Sequence, residues 1–187
     1  HFAGSHLLDP ADGSYNISYI RKFLTDIPVR LVHLAQREQG LMVAPGNPKQ
    51  ITGIEDLTRD DLVFVNRQAG SGTRVLLDYH LKQAEIDPLQ ITGYSSEEFT
   101  HMAVAVAVFG QSADAGLGIL AAARALGLDF VPMATESYDL VIPETFFHTP
   151  AIALLLDLIR SDTFIRKLRA MGGYHTDQTG REVWRSH

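Results

Sequence analysis

Short β-branched apolar runs alternate along the chain with longer segments whose apolar residues recur every three or four positions. The short runs predict strands, and the longer segments predict amphipathic helices. Strands are predicted at 2–8, 29–34, 40–44, 62–66, 130–133 and 138–142. This alternation is typical of an α/β fold in which helices cover largely parallel sheets.

The predicted helices begin at residues that commonly cap helices. Asn16 is expected to cap a helix of about ten residues, and Thr73 to open a helix that ends before Pro88. Ser95 and Glu98 have capping-box spacing ahead of 99–109, which is apolar nearly all round and is therefore expected to be buried on most sides. Valines alternate in that segment, as in a strand, but the capping box and the length favour a helix. Further helices are predicted at 119–126, 151–159 (after a Thr-Pro cap) and 162–171 (capped by its Asp), and the polar tail from 177 is expected to be disordered or partly a tag.

The segment 63–74, VFVNRQAGSGTR, places a small-residue turn between a strand and a helix start. The first N–H groups of a helix lack intrahelical partners and carry the positive end of its dipole, so such a turn can bind an anion. Candidate ligand groups are the backbone near Gly70 and Gly72, the hydroxyls of Ser71 and Thr73, the side chains of Asn66 and Arg67, and Arg74. The alternative is an ordinary helix cap beside solvated arginines, and the loop by itself leaves both interpretations open.

Composition narrows the range of functions. The chain has 187 residues, of which 45% are apolar and 20% charged, and its net charge of -6 argues against a nucleic-acid-binding surface. It has no cysteine, so disulfides, thiolate metal sites and cysteine nucleophiles are excluded. No apolar run approaches the ~20 residues of a membrane-spanning helix. The eight histidines show no metal-binding spacing, the Walker lysine is missing, and Ser71 does not lie in a G-x-S-x-G motif.

Two other places offer polar groups to a ligand. Thr100 and His101 lie at the start of a predicted helix, where they could contact a ligand or simply form local hydrogen bonds. Ser5 and His6, at the end of the first predicted strand, form a second possible donor pair.

Several segments together resemble one family, the periplasmic-binding-protein-like domains related to molybdate-binding proteins. The segments are 6–10 (HLLDP), 15–16 (YN), 39–48 (QGLMVAPGNP), 66–74 (NRQAGSGTR), 100–101 (TH), 113–118 (ADAGLG), 129–132 (DFVP) and 138–143 (YDLVIP). The resemblance covers nearly all of residues 2–175, whereas GSGTR alone also occurs in effector domains of LysR-type regulators.

The resemblance implies a type II binding-protein fold with two α/β lobes joined by two crossing strands. Mapped onto this chain, residues 1–42 and 138–187 form the first lobe and residues 43–137 form the second. Family members begin with an additional strand-helix-strand-helix portion, so the first lobe is expected to be truncated at its N-terminus. An exposed sheet edge then favours a homodimer.

The function implied by the resemblance is non-enzymatic binding or sensing of a small oxyanion, with molybdate or tungstate as the ligand and no cofactor or bound metal. Ser5, Asn66, Arg67, Ser71, Gly72, Thr73, Arg74, Thr100 and His101 are the predicted ligand-binding residues. A fused output domain and a cytoplasmic location are expected, with the periplasm as the alternative. The other possibilities are an accessory domain of a molybdenum-cofactor biosynthesis enzyme and the solute-binding component of an anion transporter.

Overall fold

A computed structural model describes residues 1–186. Its strands are β1 (Ala3–Ser5), β2 (Val29–Val43), β3 (Phe64–Arg67), β4 (Glu97–Glu98), β5 (Ala115–Ile119), β6 (Asp129–Pro143), β7 (Tyr174–His175) and β8 (Glu182–Arg185). Its α-helices are α1 (Ile17–Phe23), α2 (Gly72–Gln83), α3 (His101–Phe109), α4 (Leu120–Ala125), α5 (Glu144–Phe147), α6 (Pro150–Arg160) and α7 (Asp162–Met171), with short 3-10 helices at Ile54–Thr58 and Pro88–Gln90. The predicted α/β class is confirmed.

The chain folds into two compact units. Unit 1 comprises His1–Arg37 and the chain from Glu136 onward, and unit 2 comprises Glu38–Thr135. The chain passes from one unit to the other within β2 and again within β6. Each of these strands has 15 residues and replaces two shorter predicted strands.

In unit 2 the strands lie in the order β6-β2-β5-β3-β4. β5 runs antiparallel to β2 and parallel to β3, and β3 runs parallel to β4. The sheet is therefore mixed, and the expectation of largely parallel sheets is wrong. The sequence pattern predicts neither a strand nor a helix at 115–118, but these residues lie at the centre of this sheet as most of β5.

Glycines in β5 allow α3 to pack closely on the sheet. A Cβ atom at Gly116 would overlap Val104 Cγ1 and would lie 2.9 Å from Val65 Cγ1. Val104 and Val65 belong to an apolar core that α3 shares with β3 and α4. This close packing requires that residue 116 has no side chain. The core of unit 2 therefore depends on glycine, a residue that by itself disfavours a strand.

The capping box predicted from Ser95 to Glu98 is wrong. Glu97 and Glu98 form β4, and the helix begins at His101, with Thr100 as its N-cap. The expected burial of this helix on most sides is also wrong, because its outer face is exposed to solvent.

Unit 1 contains the remaining parts of the two long strands, residues 29–37 of β2 and 136–143 of β6. β1 pairs antiparallel with β6, and both β7 and β8 pair antiparallel with β2. The disorder predicted for the tail is therefore wrong for Glu182–Arg185, because Trp184 pairs with Leu31 in the sheet. One apolar cluster packs α6 against β2 and β6, and another packs α1 against the same two strands.

Asn16 does not cap α1 as predicted. Its backbone φ is 70°, its side chain makes no capping hydrogen bond, and the helix has seven residues. The side chain is fully buried instead, and it accepts hydrogen bonds from Ser5 Oγ and from the backbone N–H of Leu7. Two other caps lie close to their predicted positions, because Ser71 caps α2 and Ser161 caps α7.

Candidate functional site

The turn between β3 and α2 forms a capped helix N-terminus. Ser71 Oγ accepts a hydrogen bond of 3.2 Å from the backbone N–H of Arg74, and Gly70 before it has a φ of 84°, which favours glycine. The side chain of Thr73, in the first turn of the helix, is almost completely buried. This geometry gives α2 the amide groups and the dipole that attract an anion, and it is also the geometry of an ordinary capped helix.

Gln39 of β2 adds a feature that the sequence did not reveal. Its side chain is fully buried, and Nε2 donates a hydrogen bond of 3.2 Å to Thr73 Oγ1. Because Thr73 Oγ1 accepts this bond, the Thr73 hydroxyl can donate its own hydrogen to a ligand. Gln39 Oε1 is buried and has no hydrogen-bond partner within residues 1–186. A buried polar atom of this kind is uncommon in a folded protein.

The start of α3 lies beside the start of α2. Arg67, the last residue of β3, donates hydrogen bonds to the carbonyl oxygens of Glu98 (3.2 Å) and Phe99 (2.9 Å). These bonds hold the segment before α3 against the end of β3. Thr100 Oγ1 accepts the backbone N–H of Ala103 at 3.0 Å, which caps α3. Two helix N-termini with hydroxyl caps are thus brought together in unit 2.

His101 is half-buried between α3 and β5. A Cβ atom at Gly118 would lie 2.5 Å from Met42 Cε and 3.1 Å from Met42 Sδ, so the missing side chain at 118 makes room for Met42, while His101 Nδ1 would lie at an ordinary contact distance of 3.5 Å. Gly118 pairs with Gly40 of β2, the neighbour of Gln39 in the chain. His101 and Gln39 therefore both lie near the place where Gly40 of β2 pairs with Gly118 of β5.

Two other predicted residues, Asn66 and Arg74, make structural contacts within unit 2. Asn66 Nδ2 donates to the carbonyl oxygen of Tyr94 at 3.0 Å, and Asn66 Oδ1 accepts the backbone N–H of Arg67. The Arg74 guanidinium pairs with Asp78 (3.1 Å) on one side and Glu97 (3.2 Å) on the other. Arg74 therefore contributes little uncompensated charge, and the backbone of the helix supplies most of the local attraction for an anion.

Ser5, the remaining predicted residue, belongs to unit 1. Its hydroxyl donates a hydrogen bond of 2.7 Å to Asn16 Oδ1. This bond links β1 to the segment before α1.

Unit 1 contains a cavity of about 350 Å³. Its walls are formed by Ser14, Tyr15, Ile17, Leu31, His33, Gln36, Ser137, Asp139, Gln178 and Val183. Burial and the charge of Glu136 raise the pKa of Tyr15 to about 12.

The Ser137, His33 and Asp139 side chains in this cavity do not form a catalytic triad. His33 Nδ1 lies 2.7 Å from Asp139 Oδ1, and Ser137 Oγ lies 3.2 Å from the same His33 nitrogen. In a triad the serine contacts the other ring nitrogen, which removes its proton. Ser137 instead donates to the Asp139 carboxylate at 3.1 Å. The arrangement stabilises a buried carboxylate and does not activate a nucleophile.

Residues 1–186 contain no group of three or more His, Cys, Asp or Glu side chains that could hold a metal ion. Every helix in this range is too short or too polar to span a lipid bilayer.

Comparisons with known proteins determine the family. The model of the PBP superfamily domain matches residues 1–160, which is most of the chain. The chain belongs to this family. A relative of this PBP superfamily domain is the protein YvgK of Bacillus subtilis (strain 168), which is 36% identical over 178 residues. The alignment covers 95% of this chain and 57% of YvgK, so the chain spans little more than half of that relative's length.

Solved structures show which fold the family domain has. The tungstate ABC transporter protein of Geobacter sulfurreducens superimposes with a TM-score of 0.60 at 16% identity, covering 88% of this chain and 74% of that one. A Clostridium perfringens protein described as a phosphate ABC transporter substrate-binding protein, solved with bound phosphate, gives a TM-score of 0.59 at 14% identity. That match covers 91% of this chain and 76% of the other. The fold is of the type II periplasmic-binding-protein-like class, and the domain is of a kind that binds small ligands.

Proposed function

We propose that this PBP superfamily domain binds a small oxyanion in unit 2, at the N-terminus of α2. The observation that carries the proposal is the contact of Gln39 with Thr73. A fully buried amide donates to the hydroxyl in the first turn of a capped 12-residue helix and so leaves the hydrogen of that hydroxyl free for a ligand. The amide groups of that turn, together with this hydroxyl, would bind the oxygen atoms of the ligand.

Each predicted residue has a role in this proposal. Gly72 and Thr73 supply backbone N–H groups, and Thr73 also supplies its hydroxyl. Ser71 caps the helix and so fixes the direction of those amides. Thr100 and His101 contribute from the start of α3, and Arg67 and Asn66 hold the two helix starts in place. Arg74 helps to hold the start of α2 in place, because its backbone N–H donates to Ser71 Oγ and its guanidinium is paired with Asp78 and Glu97. A contribution from Ser5 of unit 1 remains a prediction.

Molybdate or tungstate is the leading ligand. The structural neighbours include proteins whose names refer to tungstate and to phosphate, both tetrahedral oxyanions. Buried neutral donors at a helix N-terminus can stabilise such an anion without a full counter-charge. This agrees with a site in which the Arg74 guanidinium is already paired with two carboxylates and Arg67 donates to backbone carbonyl oxygens.

The proposed role is a non-enzymatic sensor domain whose ligand occupancy is passed to a fused output domain by a shift in populations. We also propose that the chain acts as a homodimer in the cytoplasm. The proposed lobes comprise residues 1–42 with 138–187 and residues 43–137. The alternatives are an accessory domain of a molybdenum-cofactor biosynthesis enzyme and a periplasmic transport component. The sequence of the whole natural protein distinguishes them, because a helix-turn-helix domain, a cofactor-synthesis domain and a signal peptide each indicate one role.

The test is the stability of the chain against molybdate, tungstate, sulfate, phosphate and a panel of organic acids. A ligand present at about 100 times its Kd should raise the free energy of unfolding by roughly 2.7 kcal/mol. Selective stabilisation by molybdate or tungstate is the expected result. Stabilisation by organic acids alone would reject the oxyanion, and the absence of a shift with every anion would reject the site.

The variant Thr73→Ala/Arg74→Ala shows whether a stabilising ligand occupies this site. It should abolish the shift, because it removes the ligand-facing hydroxyl and the tether between α2 and β4. Normal binding by that variant would place the ligand elsewhere.

A further inference from the structure

The cavity in unit 1 has a buried floor and an exposed rim. We call His33, Asp139 and Leu31 its floor, because all three line the cavity and their exposed fractions are only 6%, 2% and 1%. Gln36 and Gln178 also line the cavity and are exposed to solvent, and we call them its rim. A small molecule can therefore reach the buried side chains of the floor by passing the rim.

The contacts of Asp139 determine which nitrogen of the His33 ring carries the proton. The Asp139 carboxylate accepts hydrogen bonds from Asn16 Nδ2 at 2.6 Å and from Ser137 Oγ at 3.1 Å, and His33 Nδ1 lies 2.7 Å from it. A carboxylate only accepts hydrogen bonds, so the neutral imidazole carries its proton on Nδ1. The lone pair of the ring then lies on Nε2.

His33 Nε2 has no hydrogen-bond partner in the part of the chain that the structure describes, residues 1–186. Nδ1 faces Asp139, so Nε2 lies at a different edge of a ring that lines the cavity. Polar groups on side chains as buried as this one are normally paired. Water can pair with Nε2, and the hydroxyl of a ligand can replace that water because it brings the same donor.

The charges around the cavity argue against an anion as its ligand. Within residues 1–186, no lysine or arginine lines the cavity, whereas Asp139 brings a carboxylate to its floor. An anion would therefore be desolvated beside a like charge without a basic side chain to balance it. A cation is disfavoured as well, because both Asp139 oxygens already accept hydrogen bonds from other side chains. The ligand is therefore expected to be uncharged.

The remaining walls suit a compound that is rich in hydroxyl groups. A hydroxyl both donates and accepts hydrogen bonds, and each glutamine amide of the rim does the same. Ile17 and Leu31 give the cavity an apolar side, against which the C–H groups of a sugar or a polyol can pack. The volume of about 350 Å³ corresponds to on the order of ten water molecules at about 30 Å³ each, which is room for one such molecule.

We propose that unit 1 binds a small uncharged polyhydroxyl compound, a sugar or a polyol, in this cavity, with one ligand hydroxyl donating a hydrogen bond to His33 Nε2. This site lies in a different unit from the oxyanion site proposed above, and its ligand has a different charge. The two proposals are therefore tested separately, and the failure of one leaves the other unchanged.

The first test is the ¹⁵N NMR spectrum of the His33 ring in the whole chain, assigned by comparison with His33→Asn. At neutral pH, Nδ1 should be protonated and Nε2 should not. A sugar or polyol that binds should shift the Nε2 signal more than the Nδ1 signal. A ring that carries a proton on Nε2 would overturn the proposal, because it would present a donor to the cavity.

The second test is binding of small probes, measured by saturation-transfer NMR at millimolar concentration. The neutral probes are glycerol, sorbitol, ribose and glucose, and the charged comparisons are acetate and ethylammonium. At least one neutral probe should bind, and neither charged probe should. Binding of a charged probe alone, or of no probe, would mean that the cavity holds water only or a different class of ligand, and the proposal would be wrong.

Two variants locate a bound probe. His33→Asn retains an amide donor for Asp139 but removes Nε2, so Kd should rise by about three- to tenfold, as expected for one neutral hydrogen bond. Val183→Trp should abolish binding, because Val183 lines the cavity and a larger side chain there fills it.

Ile27→Trp is the matched control for the filled cavity. Ile27 lies in the same unit, is exposed to a similar extent (48%, against 46% for Val183) and does not line the cavity. Its substitution should leave Kd unchanged. A cooperative melt identifies any variant that has failed to fold. A probe that binds Val183→Trp as tightly as the wild type would occupy another site, and this result would overturn the proposal.

Discussion

Asn16 Nδ2 donates a hydrogen bond of 2.6 Å to Asp139 Oδ2, although 123 positions separate the two residues in the chain. The Asn16 carbonyl accepts from Ser5 Oγ at 2.7 Å and from Leu7 N at 2.8 Å. A single buried amide therefore joins the segment after β1, the start of α1 and strand β6 in unit 1. His33 contributes a further contact to the same carboxylate, so Asp139 is buried with its oxygens bonded.

The first prediction concerns the strength of this link. Asn16→Ala and Asp139→Ala should each lower the free energy of unfolding, by roughly 2–4 kcal/mol, because each leaves buried polar groups without partners. The double variant should lose less than the sum of the two, with a coupling of roughly 1–3 kcal/mol. Urea unfolding of the four chains measures these values. Strict additivity would mean that the bond contributes nothing to stability.

The second prediction concerns the packing of α3 on β5. Gly116→Ala should destabilise the chain by roughly 1–3 kcal/mol, because the new methyl group overlaps Val104 and approaches Val65. Gly53→Ala is the control, since its Cβ would meet only the end of the flexible Glu55 side chain. Thermal unfolding of the two variants should differ clearly. Equal stability would show that α3 can shift away from the sheet without cost.

The third prediction concerns pH. Two hydrogen bonds of 2.7 Å from Arg30 lower the pKa of Glu144 below its usual 4.5. A lowered pKa in the folded state stabilises the fold above the unfolded pKa, and this contribution disappears as the pH falls through the folded pKa. Glu144→Gln should therefore lower the Tm near neutral pH and should match the wild type below that folded pKa.

A pH series of melting temperatures checks this prediction, with Glu85→Gln as the control. Glu85 lies just beyond the end of α2, and its side chain makes no ion pair with the residues that the structure describes. Its substitution should leave the pH profile unchanged. A Glu144→Gln deficit that persists unchanged into strong acid would refute the ionic origin of the effect.

The fourth prediction concerns the Thr73 hydroxyl. Thr73→Val keeps the shape of this buried side chain but removes the hydroxyl that Gln39 orients. For an anion that stabilises the wild type, Kd should rise by about tenfold or more, since one hydrogen bond to a charged ligand contributes roughly 1.5–3 kcal/mol. Isothermal titration calorimetry measures the change, and exposed Thr92→Val in the same unit should bind normally. An unchanged Kd for Thr73→Val would remove the hydroxyl from the site.

The sequence predicted the helices better than the strands, for a physical reason. Helix α6 follows the Thr149-Pro150 pair, where a fixed proline φ starts the helix locally. Strand β5 contains Gly116 and Gly118, which disfavour strands by themselves and are favoured here because Val104 of α3 and Met42 of β2 pack against them. That preference arises from residues distant in sequence, so no local pattern shows it.

The same limit explains the errors in the long strands and the capping box. The polar residues 36–39 (QREQ) interrupt the apolar pattern of β2, so the sequence predicts two strands where the structure has one. Ser95 and Glu98 have the spacing of a capping box, but pairing of Glu97 and Glu98 with β3 places them in a strand. In both cases, contacts formed by the fold outweigh a local preference.

The candidate site was partly accessible from the sequence. Ser71 and Thr73 followed from turn and cap chemistry, which depends on neighbouring residues alone. Gln39 could not be found in this way, because its contact with Thr73 spans 34 positions and forms only when β2 and α2 pack together. A polar residue within an apolar strand was the only signal that the sequence offered.

The division of the chain also determines the order in which its parts can fold during synthesis. Unit 2 is one continuous segment, whereas unit 1 needs residues on both sides of it. A ribosome that adds about 5–20 residues per second therefore takes on the order of 5–20 seconds to make unit 2 before any residue of the second half of unit 1 exists. Throughout that interval the first half of β2 lacks the strands β6, β7 and β8 that later pair with it. The nascent chain thus carries an unpaired apolar strand, whose free backbone groups are open to pairing with other chains until β6 has been made.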